Sequence, residues 1–358
     1  MNAPVSPMRN KQHMRPLMVS GLVGLCALTP AAAQTQTLDT SFPLRVRSIS
    51  IHGADGVFGG ILAGSVGPEG ALYIVDHVNT EIVALSPDGS VAWKRGGQGR
   101  GPGEFGLPYR ISVDENNVVH VFDRASSEIS RFAHEGAFID RRRVPFMFSQ
   151  VDALVALDGG GYAISGVTEF GDDASDSGVH VFDASLEPVR SFGPLPHATN
   201  RMVLNYWGAG VATPYVNGTI LYSRRIPYEL YVYDVLGALH RTIHPPFELE
   251  GTPDDAILIE EAAGRLEVAM GQAVDVPLSP VSLGEGLVLA GRRFADGQRM
   301  WDLFDAAGDL VASTSVPAEW KTLLGADVAH HILWVRGEHQ LEPVVFRIEF
   351  ESFRNVNE

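Results

Sequence analysis

Short apolar segments recur along the chain at a regular spacing. Each copy has an apolar segment, a short polar loop, a segment in which apolar and polar residues alternate, and a turn that ends at glycine. Alternation with a period of two is typical of β-strands with one buried face, and glycine-containing turns often join antiparallel strands. The pattern therefore predicts repeated β-hairpins with a period of 47 residues. The two clearest copies place these features at 70–76, 81–85 and Gly89, and at 117–123, 128–132 and Gly136.

Weaker copies of this pattern continue to the end of the chain. The last copy lacks a fourth strand, while an additional alternating segment at 44–51 precedes the first copy. If this N-terminal segment completes the last copy, a closed ring removes the sheet edges that invite aggregation. We therefore predict an all-β fold, a six-bladed β-propeller with four-stranded antiparallel blades that is closed by the N-terminal strand. The strand pairs of the weaker copies lie at 161–166 and 178–182, 219–223 and 229–233, 287–291 and 300–304, and 331–335 and 343–350.

One part of the chain resembles a known family. The sequence GRGPGEF at 99–105 is followed by Leu107-Pro108 and by apolar segments at 111–114, 119–123 and 129–132. This series resembles the NHL-type repeat of bacterial exported six-bladed propellers, over about residues 60–145. The resemblance implies the fold more than a function, because such propellers include lyases, hydrolases, sugar or peptide binders and scaffolds. The NHL-type repeat often has Arg at the start of its third strand. This chain departs from the repeat there, because it has Glu81, Glu128 and Glu229 at these positions.

The first 33 residues have the pattern of a secretory signal peptide. A basic leader precedes an apolar core at 17–28, and three alanines at 31–33 provide a small-residue cleavage site. The apolar core is shorter than the roughly 20 residues that a membrane-spanning helix needs. We therefore expect a signal peptide at 1–33, a single propeller domain at 34–358, and a periplasmic or secreted location.

The charge of the chain limits its partners. Cleavage after residue 33 would leave 24 Lys and Arg residues against 43 Asp and Glu residues, a formal net charge of −19. Such a surface repels phosphate backbones and anionic bilayers, which argues against nucleic acid or a membrane as the partner. The single cysteine, Cys26, lies in the predicted signal peptide, so neither disulfides nor thiol chemistry is expected in the mature chain. We expect a monomer without a membrane span.

One insertion between the fourth and fifth copies has a different pattern. Thr252 and Pro253 are typical of a helix cap and first turn, and two aspartates follow near the positive end of the helix dipole. We predict a helix over about 253–271. It would either cap the central funnel or pack on the outer rim of the blades. Its apolar stripe at helical spacing consists of Ile259, Ala263, Leu266 and Met270.

Basic residues cluster at one end of the predicted blades. In a four-stranded blade, the loops between the second and third strands lie on the same face as the connections between blades, and propeller ligands usually bind there. Four blades place an arginine where the second strand ends, and the first blade has a histidine there. Another arginine enters the first strand of the second blade from this face. These candidate ligand-binding residues are Arg124, Arg224, Arg292, Arg336, His77 and Arg110.

The arginines have two interpretations. Guanidinium groups bind carboxylate, phosphate or sulfate in bidentate geometry, which favours a mouth that captures an anionic small molecule or peptide. Alternatively, each arginine pairs with a glutamate of its own blade. Because adjacent strand residues point to opposite sides, at most one of Arg224 and Arg225 can face the axis. The candidate glutamates are Glu128, Glu229 and Glu342.

The sequence identifies no catalytic residues. It contains no Gly-x-Ser-x-Gly segment, and its histidines could converge only in three dimensions. We predict no cofactor and no metal site, and we favour a binding or scaffold module over an enzyme. The alternative is a periplasmic lyase or hydrolase with a histidine or a divalent metal in the central funnel.

Overall fold

The structure is a computed structural model that describes residues 38, 41–168, 176–198, 200–262 and 265–352, without the side chains of 260–266. Residues Thr35–Glu358 form one compact unit. The signal peptide predicted for 1–33 lies outside the described residues and stays a prediction.

Six antiparallel sheets, blades 1 to 6, follow one another along the chain. Within a blade, tight turns join neighbouring strands. Gly89 and Gly136 in two of these turns both have a φ of 87°, a left-handed conformation that favours glycine. Blade 1 consists of β2 (Ile61–Val66), β3 (Leu72–Asp76), β4 (Glu81–Leu85) and β5 (Val91–Gly96). Blade 2 consists of β6 (Pro108–Val113), β7 (Val119–Asp123), β8 (Glu128–Phe132) and β9 (Phe138–Arg143). Blade 3 consists of β10 (Phe148–Ala156), β11 (Tyr162–Thr168), β12 (Ser177–Phe182) and β13 (Pro188–Pro194).

The remaining three blades complete a ring. In blade 5 the first strand is divided into two short pieces, which both pair with the second strand. Blade 4 consists of β14 (Gly210–Pro214), β15 (Ile220–Arg224), β16 (Glu229–Tyr233) and β17 (Leu239–Ile243). Blade 5 consists of β20 (Val276–Pro277), β21 (Val281–Ser282), β22 (Val288–Arg293), β23 (Arg299–Phe304) and β24 (Leu310–Ser315). Blade 6 consists of β25 (Trp320–Asp327), β26 (Ile332–His339), β27 (Glu342–Phe350) and β1 (Val46–His52). The first strands of successive blades contact one another, and β25 returns to β2. This closed ring is the predicted six-bladed β-propeller.

The N-terminal strand closes the ring. β1 pairs antiparallel with β27, and Ile49 lies opposite Ile348. Just before β1, Phe42 and Leu44 are buried beside Trp320 in the core between blades 5 and 6. The predicted completion of the last blade by the N-terminal segment is therefore confirmed, and it is stabilised by side-chain burial as well as by strand pairing.

The insertion between blades 4 and 5 is mostly a β-hairpin, so the helix predicted over 253–271 is wrong beyond its first turn. The predicted Thr252 cap is present, but the helix that it starts, α2 (Pro253–Ala256), has only four residues. Ile257 is buried and Leu258 is 40% exposed, an alternation that fits a strand. β-branched residues at this point favour the strand, because their side chains are restricted in a helix. The strands that pair antiparallel here are β18 (Ile257–Ala262) and β19 (Arg265–Met270).

Two helical segments near blade 4 were not predicted from the sequence, α1 (Arg201–Trp207) and a 3-10 turn at Val216–Gly218. Helix α1 packs against the hairpin, with Trp207 and Ile257 in one buried cluster. Both α1 and the hairpin connect the last strand of one blade to the first strand of the next. They therefore lie on the face that was predicted to carry the ligand.

Ring closure can be tested with a single substitution. Leu44 is 1% exposed in the core that joins blade 6 to blade 5. We expect Leu44→Ala to lower the free energy of unfolding by about 2–5 kcal/mol, because it leaves a cavity in a packed core. Ile51→Ala is the matched control, since Ile51 belongs to the same N-terminal segment but is 40% exposed. Equal midpoints of chemical denaturation for the two variants would contradict this role.

A buried histidine makes stability depend on pH. His180 in blade 3 lies among the rings of Phe146 and Phe148, and its Nδ1 is 2.9 Å from the Ser191 hydroxyl. Burial lowers the pKa of His180 from 6.5 to about 4. The unfolded chain therefore takes up this proton at a higher pH than the folded chain. Stability from the neutral ring is complete above pH 6.5 and is lost as the pH falls towards 4.

We expect this group to lower the free energy of unfolding by about 1.4 kcal/mol per pH unit below its unfolded pKa, to a total of about 3 kcal/mol. His180→Gln keeps a neutral polar side chain and removes the titration. The variant should therefore lose less stability than the wild type between neutral and mildly acidic pH in urea denaturation. Parallel pH profiles for the two proteins would show that His180 does not remain neutral in the fold.

Candidate functional site

The first strands of the six blades surround a cavity on the ring axis. Its volume is about 560 Å³, and small-molecule sites typically have roughly 300–1,000 Å³. Every blade contributes to the wall, through residues 62–66, 110–113, 152–154, 211–216, 279–282 and 322–326. We call this space the axial cavity.

Hydroxyl groups line the axial cavity between apolar residues. Ser65 of blade 1 accepts a hydrogen bond from the Val113 amide at 3.2 Å, and Ser112 of blade 2 accepts one from the Ala156 amide at 2.9 Å. Both bonds join one blade to the next and provide partners for amides that lie near the axis. Further hydroxyls in the wall belong to Thr213, Ser279, Ser282 and Thr322.

Three charged residues occur among the described residues of the cavity wall: Arg110, Asp152 and Arg225. Arg110 belongs to blade 2 and Asp152 to blade 3, while Arg225 lies in the loop between the second and third strands of blade 4. They therefore meet at the mouth on the predicted ligand face. Two positive charges accompany one negative charge there, in a chain whose formal net charge is −16. We call these three residues the mouth cluster.

Asp152 holds the mouth cluster together. Its side chain is fully buried, and its Oδ2 accepts a hydrogen bond from the Ala209 amide at 2.7 Å. Its Oδ1 lies 3.0 Å from Nη2 of Arg225. Gly208 has a φ of 89°, and a Cβ atom at this position would lie 2.3 Å from Oδ1. Glycine is therefore required where the chain passes this carboxylate.

The two arginines are oriented by backbone carbonyl groups. Nε of Arg110 donates to the Asp152 carbonyl at 2.7 Å, and its Nη1 donates to the Tyr109 carbonyl at 2.8 Å. Nη1 of Arg225 donates to the Trp207 carbonyl. Burial lowers the pKa of Arg110, yet a guanidinium remains charged in proteins. The guanidinium group of Arg110 also lies over the Tyr109 ring, with its Cζ atom 4.2 Å from the ring centroid. Nε of Arg225 has no hydrogen-bond partner among the described residues.

Comparison with known proteins supports the fold on which this site is built. A family model described as a 6-bladed beta-propeller matches residues 67–236, just under half of the chain. The NHL repeat-containing protein 3 of Mus musculus is 36% identical over 66 residues, which are 18% of this chain and 19% of the mouse protein. The chain is a six-bladed β-propeller with NHL-like repeats. The mouse protein is matched over only about a fifth of its length, so the likeness concerns the repeat.

Solved structures show the same fold over most of the propeller. A Bacteroides fragilis protein predicted to be exported superposes with a TM-score of 0.54 at 12% identity, over 85% of this chain and 95% of the other. A streptogramin B lyase superposes with a TM-score of 0.50 at 9% identity, over 85% of this chain and 98% of the lyase. At these identities the likeness shows the fold alone.

Two of the predicted arginines lie inside their blades. Arg224 pairs with Glu229, as the salt-bridge interpretation predicts. Arg292 pairs with the buried Asp302, whose Oδ2 is 2.8 Å from Nε. Of the adjacent residues at the end of β15, it is therefore Arg225 that reaches the axial cavity of the propeller. The sequence limited the choice to one of the two but did not select it.

Of the remaining predicted residues, Arg110 lies in the described cavity wall and the other three lie outside it. Nη2 of Arg124 donates to the Ser149 carbonyl at 2.6 Å, and Nδ1 of His77 is 2.8 Å from the Gly60 carbonyl. Arg336 lies in β26, away from the axis. Among the described residues, two predicted ion pairs are not formed, Arg124–Glu128 and Arg336–Glu342.

The aspartates that end β3 and β7 have a structural role. Asp76 accepts hydrogen bonds from the Gly59 and Gly60 amides at 2.7 and 2.9 Å. The carboxylate of Asp123 accepts hydrogen bonds from two backbone amides of the corresponding connection in blade 2, at 2.6 and 3.0 Å. Each carboxylate thus fixes the segment that enters its own blade, which accounts for the repeated Asp at the end of the second strand.

The described residues contain no group of three His, Cys, Asp or Glu side chains arranged to hold a metal ion. The described part of the cavity wall contains no histidine. None of the helices in the described ranges is long and apolar enough to cross a bilayer. The hairpin β18–β19 contributes no described residue to the cavity wall and packs against α1 instead.

The structural role of Asp152 can be tested directly. We expect Asp152→Asn to lower the free energy of unfolding by about 3 kcal/mol, because removing one partner of a buried ion pair leaves the other charge uncompensated. Asp140→Asn is the control, since Asp140 pairs with Arg131 but is 38% exposed. Exposed ion pairs contribute only about 0–1 kcal/mol. Chemical denaturation at neutral pH measures both, and equal losses would contradict the assignment of Asp152 as the organising residue.

Proposed function

We propose that the propeller is an exported binding module whose axial cavity captures a small organic anion. The observation that carries the proposal is the charge of the mouth cluster, where Arg110 and Arg225 accompany Asp152 alone. Clustered positive charge in an acidic chain focuses the local field and favours the approach of anions to this mouth. The carboxylate end of a peptide has the same chemistry and falls within the proposal.

The geometry supports binding through a few directed contacts. Nε of Arg225 is available as a charged donor, and the guanidinium group of Arg110 adds positive charge beside it; hydrogen bonds to charged groups contribute about 1.5–3 kcal/mol each. Beyond the mouth, hydroxyls such as Thr213 and Thr322 offer donors and acceptors to a polar ligand body. A compound with a carboxylate or phosphate at one end and hydroxyl groups at the other therefore matches the cavity.

Export is part of the proposal. The leader at 1–33 and the likeness to a Bacteroides fragilis protein predicted to be exported support a periplasmic or secreted location. Preorganised arginines favour the capture of small organic anions, because little side-chain ordering remains to be done on binding.

The predicted alternative, a lyase or hydrolase, is less well supported. It required a histidine or a metal in the funnel, and the described wall of the axial cavity offers neither a histidine nor a cluster of metal ligands. The carboxylate of Asp152 already accepts hydrogen bonds from Ala209 and Arg225. It is therefore poorly placed to act as a general base, and we limit the proposal to binding.

Citrate is a suitable probe, because its carboxylates match the mouth and its hydroxyl matches the wall. We expect calorimetric titration to detect citrate binding to the wild-type protein without its leader. Arg110→Gln and Arg225→Lys should each weaken this binding roughly tenfold or more, since each removes a charge or the planar donor geometry. Arg225→Lys keeps a positive charge beside Asp152, which preserves the fold.

Arg95→Gln is the control, because it removes one exposed positive charge from blade 1 without touching the described cavity wall. Its affinity for citrate should equal that of the wild type. Equal weakening in all three variants would indicate a diffuse field in place of a site. Wild-type protein that does not bind citrate, or variants that bind it unchanged, would refute the proposal.

A further inference from the structure

A second cavity opens between blades 3 and 4, with a volume of about 490 Å³. This volume is also within the range of small-molecule sites. The cavity lies between the turns that follow the first and third strands of both blades. Because the strands of a blade are antiparallel, these turns are on the face opposite to the loop that carries Arg225. We call this space the lateral cavity; its wall consists of residues 155–159, 161, 181–184, 189, 214–215, 218–219 and 235–236.

The lateral cavity exists because one turn does not bridge to the next blade. In blade 4, the hydroxyl of Tyr215 donates to the Gly286 carbonyl of blade 5 at 2.5 Å. In the corresponding turn of blade 6, the carboxylate of Asp327 lies against Gly70 of blade 1. Leu157 begins this turn in blade 3 and has no polar group with which to reach blade 4. The space between the turns of blades 3 and 4 therefore stays open.

Most of the wall of the lateral cavity is apolar. Val181 belongs to the buried core between blades 3 and 4. Towards the solvent, Leu236 is 63% exposed and Val189 is 48% exposed. The hydroxyl groups of Tyr215 and Thr219 are already used, since both donate to backbone carbonyls. The wall is therefore suited to the apolar part of a ligand.

Two carboxylates, Asp158 and Asp183, are the charged groups of the described wall. Asp158 is exposed and forms no hydrogen bond or ion pair with the residues that the structure describes. It points towards blade 4, where a Cβ atom at Gly218 would lie 3.9 Å from its Oδ2. Oδ1 of Asp183 accepts hydrogen bonds from the Ser185 and Glu187 amides at 2.8 and 2.9 Å, which fix the carboxylate without neutralising it.

Two arginines approach these turns without entering the described wall. Arg142 reaches the Ala184 carbonyl from blade 2 at 2.7 Å, and its Nε lies 3.4 Å from the Asp140 carboxylate. The aliphatic part of Arg190 packs beside Gly237, where a Cβ atom would lie 3.4 Å from its Cγ. The described wall therefore has two negative charges and no positive charge.

We propose that the lateral cavity is a second binding site, which takes a small organic cation with an ammonium group and an apolar body. The ammonium group would lie between Asp158 and Asp183, and the apolar body would pack against Leu236 and Val181. Charge complementarity supports this class of ligand, because an ammonium group donates hydrogen bonds and a carboxylate accepts them. The site is independent of the mouth cluster and of the function proposed for it. The two cavities select ligands of opposite charge.

The test compares two probes of similar shape and different charge, 2-phenylethylamine and 2-phenylethanol. Saturation-transfer NMR titrations at neutral pH and low ionic strength measure the affinity of the protein for each. We expect the amine to bind roughly tenfold more tightly than the alcohol, because each exposed ion pair contributes up to about 1 kcal/mol and screening is weak.

Substitutions of the carboxylates show whether this preference arises at the lateral cavity. Asp158→Asn combined with Asp183→Asn removes both charges and keeps the acceptors of the turn, so the amine and the alcohol should bind with equal affinity. Asp158→Asn alone should weaken amine binding roughly threefold and leave alcohol binding unchanged, which tests the site even if the double variant folds poorly. Asp55→Asn is the matched control, because Asp55 is exposed and lies outside the described wall. It should leave both affinities unchanged.

Two further variants test the apolar contact and the independence of the site. Leu236→Ala should weaken the binding of both probes roughly threefold, because it removes apolar contact area. The exposure of Leu236 makes loss of the fold unexpected. Arg110→Gln should leave both affinities unchanged, so that failure at the lateral cavity is distinguishable from failure at the axial cavity.

Three results would overturn the proposal. The first is wild-type protein that does not bind the amine. The second is equal affinity of the wild type for the amine and the alcohol, since the carboxylates would then contribute nothing. The third is a preference for the amine that survives in both Asp158→Asn and the double variant, since the amine would then bind elsewhere.

Discussion

The pairing of β1 with β27 is the constraint on which the rest of the propeller depends. Each blade packs its faces against its neighbours, so an open ring would expose both the edge of β27 and the apolar face of blade 6. Leu44 and Ile49 provide the apolar contacts of this closure. Only a closed ring brings the first strands of all blades to one axis, and the axial cavity exists because these strands cannot approach each other further.

Within that ring, Asp152 is the residue that positions the mouth cluster. It belongs to blade 3, its backbone carbonyl receives Arg110 of blade 2, and its carboxylate receives Arg225 of blade 4. One residue thus links three blades and positions two guanidinium groups. Because each arginine also uses a backbone carbonyl, its remaining donors have a fixed direction. Ligand binding at this mouth would require little rearrangement.

The repeat, the strand phase and the closure could be predicted because they follow from local alternation and from the turns between strands. The hairpin at 257–270 could not, since the same apolar residues fit a helical stripe and an alternating strand, and tertiary contacts with α1 decide between them. The role of Asp152 left no local signal, because its partner Arg225 is 73 residues away. Which of Arg224 and Arg225 reaches the axial cavity could not be predicted either, because it depends on the cross-strand pairing of Arg224 with Glu229.

The mouth cluster keeps its positive charge because its geometry prevents complete neutralisation. The carboxylate of Asp152 pairs with Arg225 and also accepts a hydrogen bond from the Ala209 amide, so it balances one of the two guanidinium charges. Arg110 is held instead by two backbone carbonyl groups, which orient its guanidinium group without neutralising it. In a chain of formal net charge −16, such a concentration of positive charge persists only where contacts of this kind hold the arginines away from the abundant carboxylates.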